Sequence, residues 1–326
     1  MKLNGASPRR APRGFLPYVS LAVSGFVLLP LMAAQTQVIN TSGQSYYLTA
    51  KPLLDYPLPD LLKAAPELQG LEPAKDQNEL PSLLDRIGRV TQDLLEGMPN
   101  VVSHEEVTQQ RLGVSGKVEA HRRLEFEYMI LPHMHGTTLS LDEYRATPSG
   151  TPVDTEDMGI RFMLTRGFAG AWMHFLPPVL AAARFRYLGQ ETNNGLRCHI
   201  VAFAQKPGYA TIVGWVSHGG GMVCVLYQGI AWIDEVSLRI VRLRTDLLAP
   251  RPDIGLERQT NELYLGETRL PQHASLLWLP QQVVVTADSG KQHFRNVHRY
   301  SDYRLFKVES KILPVPPDEP ATKKPD

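Results

Sequence analysis

Three features of this 326-residue chain predict an α+β fold. The predicted architecture is a large curved antiparallel sheet covered by helices. From Val101 to Val308 the dominant hydrophobic period is two, the signature of strands with one wet face. The turns between those strands are short, Asn193-Asn194-Gly195 above all, and short turns force antiparallel neighbours. Only two long stretches carry a helical period, too few for a helix between every pair of strands.

Taken in order, Lys2, Arg9, Arg10 and Arg13 precede an apolar run from Phe15 to Met32, and Ala33-Ala34 closes it. A basic start, a short apolar stretch and a small-residue exit read as a signal peptide over residues 1–34, which places the mature chain in the periplasm or cell envelope. The run, about 18 residues long, also reaches the lower limit of a membrane span, so a retained N-terminal anchor is the alternative. Pro17, Gly25 and Pro30 weigh against that helix.

Residues 35–78 are dotted with proline and read as a loosely ordered N-terminal segment, with a short helical stretch near 58–68. A domain over 79–310 follows. Its first helix, Glu79 to Glu96, carries Leu80, Leu83, Leu84, Ile87, Val90, Leu94 and Leu95 on one stripe. Asn78 is placed to cap it, Pro81 sits harmlessly in the first turn, and Gly97 is placed to end it in the left-handed conformation.

Strands are predicted at 101–111, 117–131 and 139–146. In the second of these Leu124, Phe126, Tyr128 and Ile130 share one face and Arg123, Glu125 and Glu127 the other. A second helix is read over 158–175, its stripe formed by Ile160, Met163, Leu164, Phe168, Ala171, Trp172 and Phe175, with Pro177-Pro178 ending it. Further strands are read at 184–192, 196–204, 222–234, 237–248, 258–265, 275–279, 281–287 and 291–308. Residues 311–326 are rich in proline and charge and read as a disordered tail.

Lys and Arg number 34 against 33 Asp and Glu, so no basic excess points to nucleic acid. Two cysteines, Cys198 and Cys224, allow either a disulfide in an oxidising compartment or two buried thiols. No nucleotide-binding glycine pattern or G-x-S-x-G elbow is found, and no cofactor is expected. His133 and His135, at i and i+2, point the same way on a strand and could share a metal with His104 or His121; a polar hairpin tip explains them more simply. Glu105-Glu106 and the pair Glu125/Glu127 offer carboxylates for acid–base work. Arg122 and Arg123 beside them point instead to a solvated ion-pair face.

The segment Tyr187-Leu188-Gly189-Gln190-Glu191 through Asn194-Gly195-Leu196-Arg197-Cys198-His199-Ile200-Val201-Ala202-Phe203 resembles the strand–turn–strand of outer-membrane lipoprotein-sorting (LolA-like) proteins. So does Gly229-Ile230-Ala231-Trp232-Ile233-Asp234 followed by Leu238-Arg239-Ile240-Val241-Arg242-Leu243, a strand ending in W-I-D that turns into one carrying I-V-R-L. The resemblance implies that the curved sheet is an incomplete β-barrel, lidded by helices around an apolar cavity for lipid chains. It also implies an envelope location and a non-enzymatic role, with a lipid or lipoprotein as partner. The expected lining is Phe162, Leu164, Phe168 and Trp172 from the second helix, facing Phe126, Tyr128 and Ile130 of the sheet. Methionine and aromatic side chains suit such a pocket, and equally suit a filled core. An interaction module without a cavity, and a metal-dependent hydrolase using His133 and His135, are the competing readings.

Overall fold

The computed structural model describes residues 22–23, 44–135, 138–153, 164–165, 170–209, 214–218, 221–271, 273–274 and 276–306. Fifteen strands lie among them. In chain order they are β1 (Ala22–Val23), β2 (Glu72–Pro73), β3 (Val101–Leu112), β4 (Val118–His135), β5 (Thr138–Ala146), β6 (Leu164–Thr165), β7 (Ala183–Asn193) and β8 (Leu196–Gln205). The remainder are β9 (Gly214–His218), β10 (Gly221–Val225), β11 (Tyr227–Asp234), β12 (Ile240–Leu247), β13 (Leu256–Thr268), β14 (Leu277–Ser289) and β15 (Gln292–Leu305).

Eleven of them form one open antiparallel sheet in the order β2-β7-β8-β11-β12-β13-β14-β15-β3-β4-β5. The large antiparallel α+β sheet that the sequence predicts is therefore present. Consecutive strands are neighbours except where β2 meets β7, where β8 meets β11 and where β15 closes back beside β3. At the Asn194-Gly195 turn both residues have positive φ, 49° and 82°, the geometry an Asn-Gly hairpin requires. As expected, Ala231 and Ile233 share one side of β11 and Trp232 the other, since Ala231 pairs with Leu243 and Trp232 with Arg242.

Register sorts every strand into two faces. One is wet: Glu106, Arg123, Arg295 and Arg299 fall in phase across β3, β4 and β15. The other is covered, with α3 (Leu80–Glu96) reaching it through Gly88 beside Phe175 and Pro177, and Phe175 against Phe203. Over β7, β8, β11 and β12 the first face is covered as well, by the segment that follows α1 (Gln44–Leu48) and holds α2 (Leu58–Ala64), where Leu53, Asp55 and Glu67 bond Gln228, Arg184 and Arg244. Helix α3 begins one residue later than expected and is preceded by Glu79 rather than capped by Asn78. Gly97 ends it with φ −87°, not left-handed, because its N–H still bonds Asp93 O.

Four further expectations are corrected. The segment 158–175 is not one helix: Leu164–Thr165 is a strand paired in parallel with β1, and Ala171–Phe175 is a 3-10 turn after Gly170. A ladder partner for Leu164 and Thr165 outweighs the weak helical period there. Over 44–78 the N-terminal segment is folded onto the sheet, with Leu61, Ala65 and Leu68 fully buried. Glu72–Pro73 pairs with β7 at Gly189, whose φ of 131° and missing Cβ admit the incoming backbone; a Cβ there would lie 2.0 Å from Glu72 O.

The predicted strands 275–279 and 281–287 are one, β14, running through Pro280. Proline is tolerated because the register slips between Tyr264 and Leu265, and β15 pairs with β14 only from Gln282 onward. Finally, Cys198 in β8 and Cys224 in β10 are separate buried thiols, so the disulfide reading falls. Burial pushes each thiol up to about 11, which leaves both protonated at neutral pH.

Among the described residues no helix is long and apolar enough to cross a membrane.

Candidate functional site

The end of the sheet formed by β15, β3, β4 and β5 carries a polar cluster on its covered face. Alternation along β3 puts Val101, Ser103, Glu105, Val107 and Gln109 in the buried phase. The pairing Glu105↔Tyr300 and Tyr128↔Arg145 then gathers one side chain from each of four strands. Arg145 grips Glu105 in a two-pronged ion pair, Nε to Oε2 at 2.5 Å and Nη2 to Oε1 at 2.7 Å. Both side chains are buried. Tyr300 donates its hydroxyl to Glu105 Oε1 at 3.0 Å, and Nδ1 of His298 lies 2.9 Å from the same oxygen. A carboxylate only accepts, so that imidazole nitrogen carries the hydrogen.

Burial alone would push the Glu105 carboxyl up, but the charge and hydrogen bonds of Arg145, with His298 adding, hold it at about 2. Burial pushes His298 down despite Glu105, leaving the ring neutral. The phenols of Tyr128, Tyr300 and Tyr303 are raised by burial and stay protonated. The guanidinium of Arg145 also lies over the Phe126 and Tyr128 rings, 5.8 and 5.5 Å from their centres. Nη1 of Arg145 has no hydrogen-bond partner among the described residues.

Beside this cluster opens a hollow of about 380 Å³. Its apolar wall is made by Met129 and Leu131 of β4, Ala146 of β5, Pro152 and Val153 of the following loop, and Phe306 after β15. The loop is held back onto β5 by the bridge Ala146↔Pro152 and by Val153 N–H to Arg145 O at 3.0 Å. The polar groups at its wall are Tyr128, Glu143, Tyr144 and Arg145. Ligand sites commonly have this make-up: a concave, mostly apolar surface of roughly 300–1,000 Å³ with a few convergent polar groups.

A second depression lies between α3 and the sheet. Val90, Leu94, Trp172, Ile240, Leu265 and Trp278 line its inner part. It continues into an open cleft of about 550 Å³ beside Asp93, Gly97, Ser237, Leu276 and Leu277. Trp278 is fixed there by donating Nε1 to Ile240 O at 2.7 Å, and Arg239 sits over its ring.

The residues expected to line one cavity are thus distributed. Tyr128 lines the hollow at β4–β5. Ile130, on the same face, is fully buried in the main core, and Phe126 packs with Val107 and Val153. Trp172 lines the depression under α3. Phe162 and Phe168 lie outside the described residues, as does the side chain of Leu164. Among the other candidates, exposed His133 pairs with Asp142 at 3.3 Å. No group of three metal-ligating side chains occurs among the described residues. Glu106 and Glu125 flank Arg123 at 2.5 and 3.5 Å, the solvated ion-pair face that the flanking arginines indicate.

Glu105, Arg145, His298 and Tyr300 were not singled out from the sequence as a group. The available signal was phase: Glu105 alternates with Val101 and Val107, and a carboxylate in the buried phase of a strand needs a cation.

No protein-family model matches the sequence, and no curated protein matches it. Solved structures similar to it include one described as an outer membrane lipoprotein-sorting protein domain from Vibrio parahaemolyticus. That match has 10% identity over 70% of this chain and 95% of the other, with a TM-score of 0.37. A DUF1329 family protein from Desulfovibrio piger matches with 13% identity over 71% of this chain and 94% of the other, TM-score 0.34. The MucA/MucB complex structure from Pseudomonas aeruginosa gives 10% identity, 68% and 100% coverage, and a TM-score of 0.18.

Proposed function

We propose that this is an exported cell-envelope protein that binds a lipid or acylated partner against its sheet and catalyses no reaction. The observation that carries the reading is the hollow at β4–β5: it is roomy, mainly apolar, and includes Tyr128 of the expected lining. Apolar burial of a chain in such a wall contributes on the order of 25 cal/mol per Å² removed from water, enough to hold an acyl group without charge pairing. The basic and apolar N-terminal stretch supports export.

Native mass spectrometry of the protein purified from its own envelope tests this. The expected result is an added mass that organic extraction removes and that fragments as a lipid. Bare protein in that preparation, with no mass gained on incubation with lipid micelles, would overturn it.

A further inference from the structure

The open cleft beneath α3 carries a charge of each sign on its walls. On the sheet side stands Arg239. The arginines that follow it on β12 are paired, Arg242 with Glu262 at 3.0 Å and Arg244 with Asp246 at 2.8 Å. No carboxylate among the described residues pairs with the Arg239 guanidinium, which lies over the Trp278 ring, 5.6 Å from its centre. On the helix side stands Asp93. Its neighbours on α3 are engaged, Asp85 by Arg89 and Glu96 by a hydrogen bond from Gln92 at 2.8 Å. The exposed Asp93 carboxylate has no partner among the described residues.

Both groups sit on fixed supports. Asp234 N–H bonds Arg239 O at 2.9 Å and Ser237 N–H bonds Asp234 Oδ2 at 2.7 Å, which holds the turn that carries Arg239. Trp278 is anchored through Ile240 O. A guanidinium stacked on an indole keeps its N–H edge for an acceptor in its own plane, the geometry that grips phosphate. Helical spacing puts Val90, Asp93, Leu94 and Gly97 on one side of α3, and Gly97 adds no side chain to fill the cleft. Val90 and Leu94 from the helix, with Leu276 and Leu277 from the sheet side, supply the apolar wall. An anion alone meets Arg239 and is opposed by Asp93, whereas a zwitterion satisfies both.

We propose that this cleft takes a zwitterionic amphiphile, its phosphate on Arg239, its ammonium towards Asp93 and its chain against Val90, Leu94, Leu276 and Leu277. The inference rests on the lipid-binding reading for the kind of guest, and its site is separate from the hollow at β4–β5.

The test is calorimetric titration of the full protein at neutral pH, below the micellar range of the probes. Lysophosphatidylethanolamine is compared with lysophosphatidylglycerol of the same chain, which keeps the phosphate and lacks the ammonium. The expected result is tighter binding of the first by about fivefold, the contribution of one exposed charge contact. Asp93→Asn, at an exposed position, removes that preference. Arg239→Gln weakens both amphiphiles by about tenfold. Glycerophosphoethanolamine, without a chain, binds more weakly than its acylated counterpart by tenfold or more. Asp93→Asn alone decides the matter should Arg239→Gln not fold. Equal or tighter binding of lysophosphatidylglycerol by the unsubstituted protein overturns the inference, as do a preference that survives Asp93→Asn and affinities unmoved by Arg239→Gln. Those outcomes leave the lipid-binding reading intact. Glycerophosphoethanolamine binding as tightly as the acylated compound overturns the inference too, since the apolar wall would then contribute nothing. Binding of neither amphiphile overturns the lipid-binding reading itself.

Discussion

On β8, β11 and β14 the covered face of the sheet presents Val201, Phe203, Ala231, Val283 and Val285; on β3, β5 and β15 the same face presents Ser103, Glu105, Arg145 and His298. Both sets are buried, and both belong to one continuous register. The first half is stabilised by area and tolerates any well-fitting apolar side chain of similar volume. The second depends on pairwise geometry, because each member leaves another uncompensated when it is lost. Within the first half, on β12 and β13, Thr245, Asn261 and Gln259 form a hydrogen-bonded row, Asn261 donating to Thr245 at 3.0 Å and Gln259 to Asn261 at 3.2 Å. A sheet can thus keep its backbone regular while its interior changes from oil-like to ionic within a few strands. The hollow sits at the ionic end.

The sharpest way to break the comparison is Arg145→Ala. It strands the Glu105 carboxylate and is expected to cost about 3–5 kcal/mol in urea unfolding. The double substitution Arg145→Leu with Glu105→Leu removes both charges and should cost clearly less than that single change. A double variant as unstable as the single would mean that packing, not charge, governs this half.

Acid provides the next test. His298 and His174 are both held below the ordinary imidazole range by burial, His174 at about 3. Each favours the fold while neutral. Their contribution is fully present above about pH 6.5 and is lost as the pH falls below it. Glu105, lowered from 4.5 to about 2, contributes fully above 4.5 and loses its contribution as the pH falls towards 2. Stability should therefore decline from about pH 6.5 downward, with a further loss below about 4.5. His174→Leu, in the apolar half against Phe203, should flatten the upper part of that decline and leave the lower part in place. Urea unfolding across the pH range reads both.

The smallest effect belongs to the wet face. Arg123→Ala removes a half-exposed partner of Glu106 and Glu125 and should change stability by less than about 1 kcal/mol, with a dependence on salt.

Much of this sheet was legible because its alternation is strong. Phe126, Tyr128 and Ile130 were assigned to the buried phase, and the Asn-Gly hairpin and the W-I-D turn were placed correctly, since each depends on local chemistry alone. Residues 171–175 form a 3-10 turn where the spacing predicts a helix, because the two share apolar spacing over so short a stretch and the turn starts afresh after Gly170. The folding of 44–78 was missed for a different reason. Its anchors are long-range: Arg184 bonds Asp55, Arg244 bonds Glu67, and Gln228 receives the Leu53 N–H. Pro-dotted sequence shows no period, and nothing local announces partners more than a hundred residues away. The candidate site was half legible. Tyr128 could be placed by phase, whereas the meeting of Glu105 with Arg145 and His298 requires the strand order, which no run of residues encodes by itself.

The two ends of the sheet differ in a way that bears on self-association. At one margin Glu72–Pro73 offers two residues, one of them without an N–H, so an approaching strand finds almost nothing to pair with. At the other, β5 is nine residues long, and among the described residues only its end is engaged, Arg145 O by Val153 N–H and Ala146 by Pro152. A sheet blunted on one side and open on the other cannot polymerise head to tail. Two copies joining through backbone pairing would have to meet β5 against β5 about a two-fold axis, and that union leaves no further edge from which a fibre could grow.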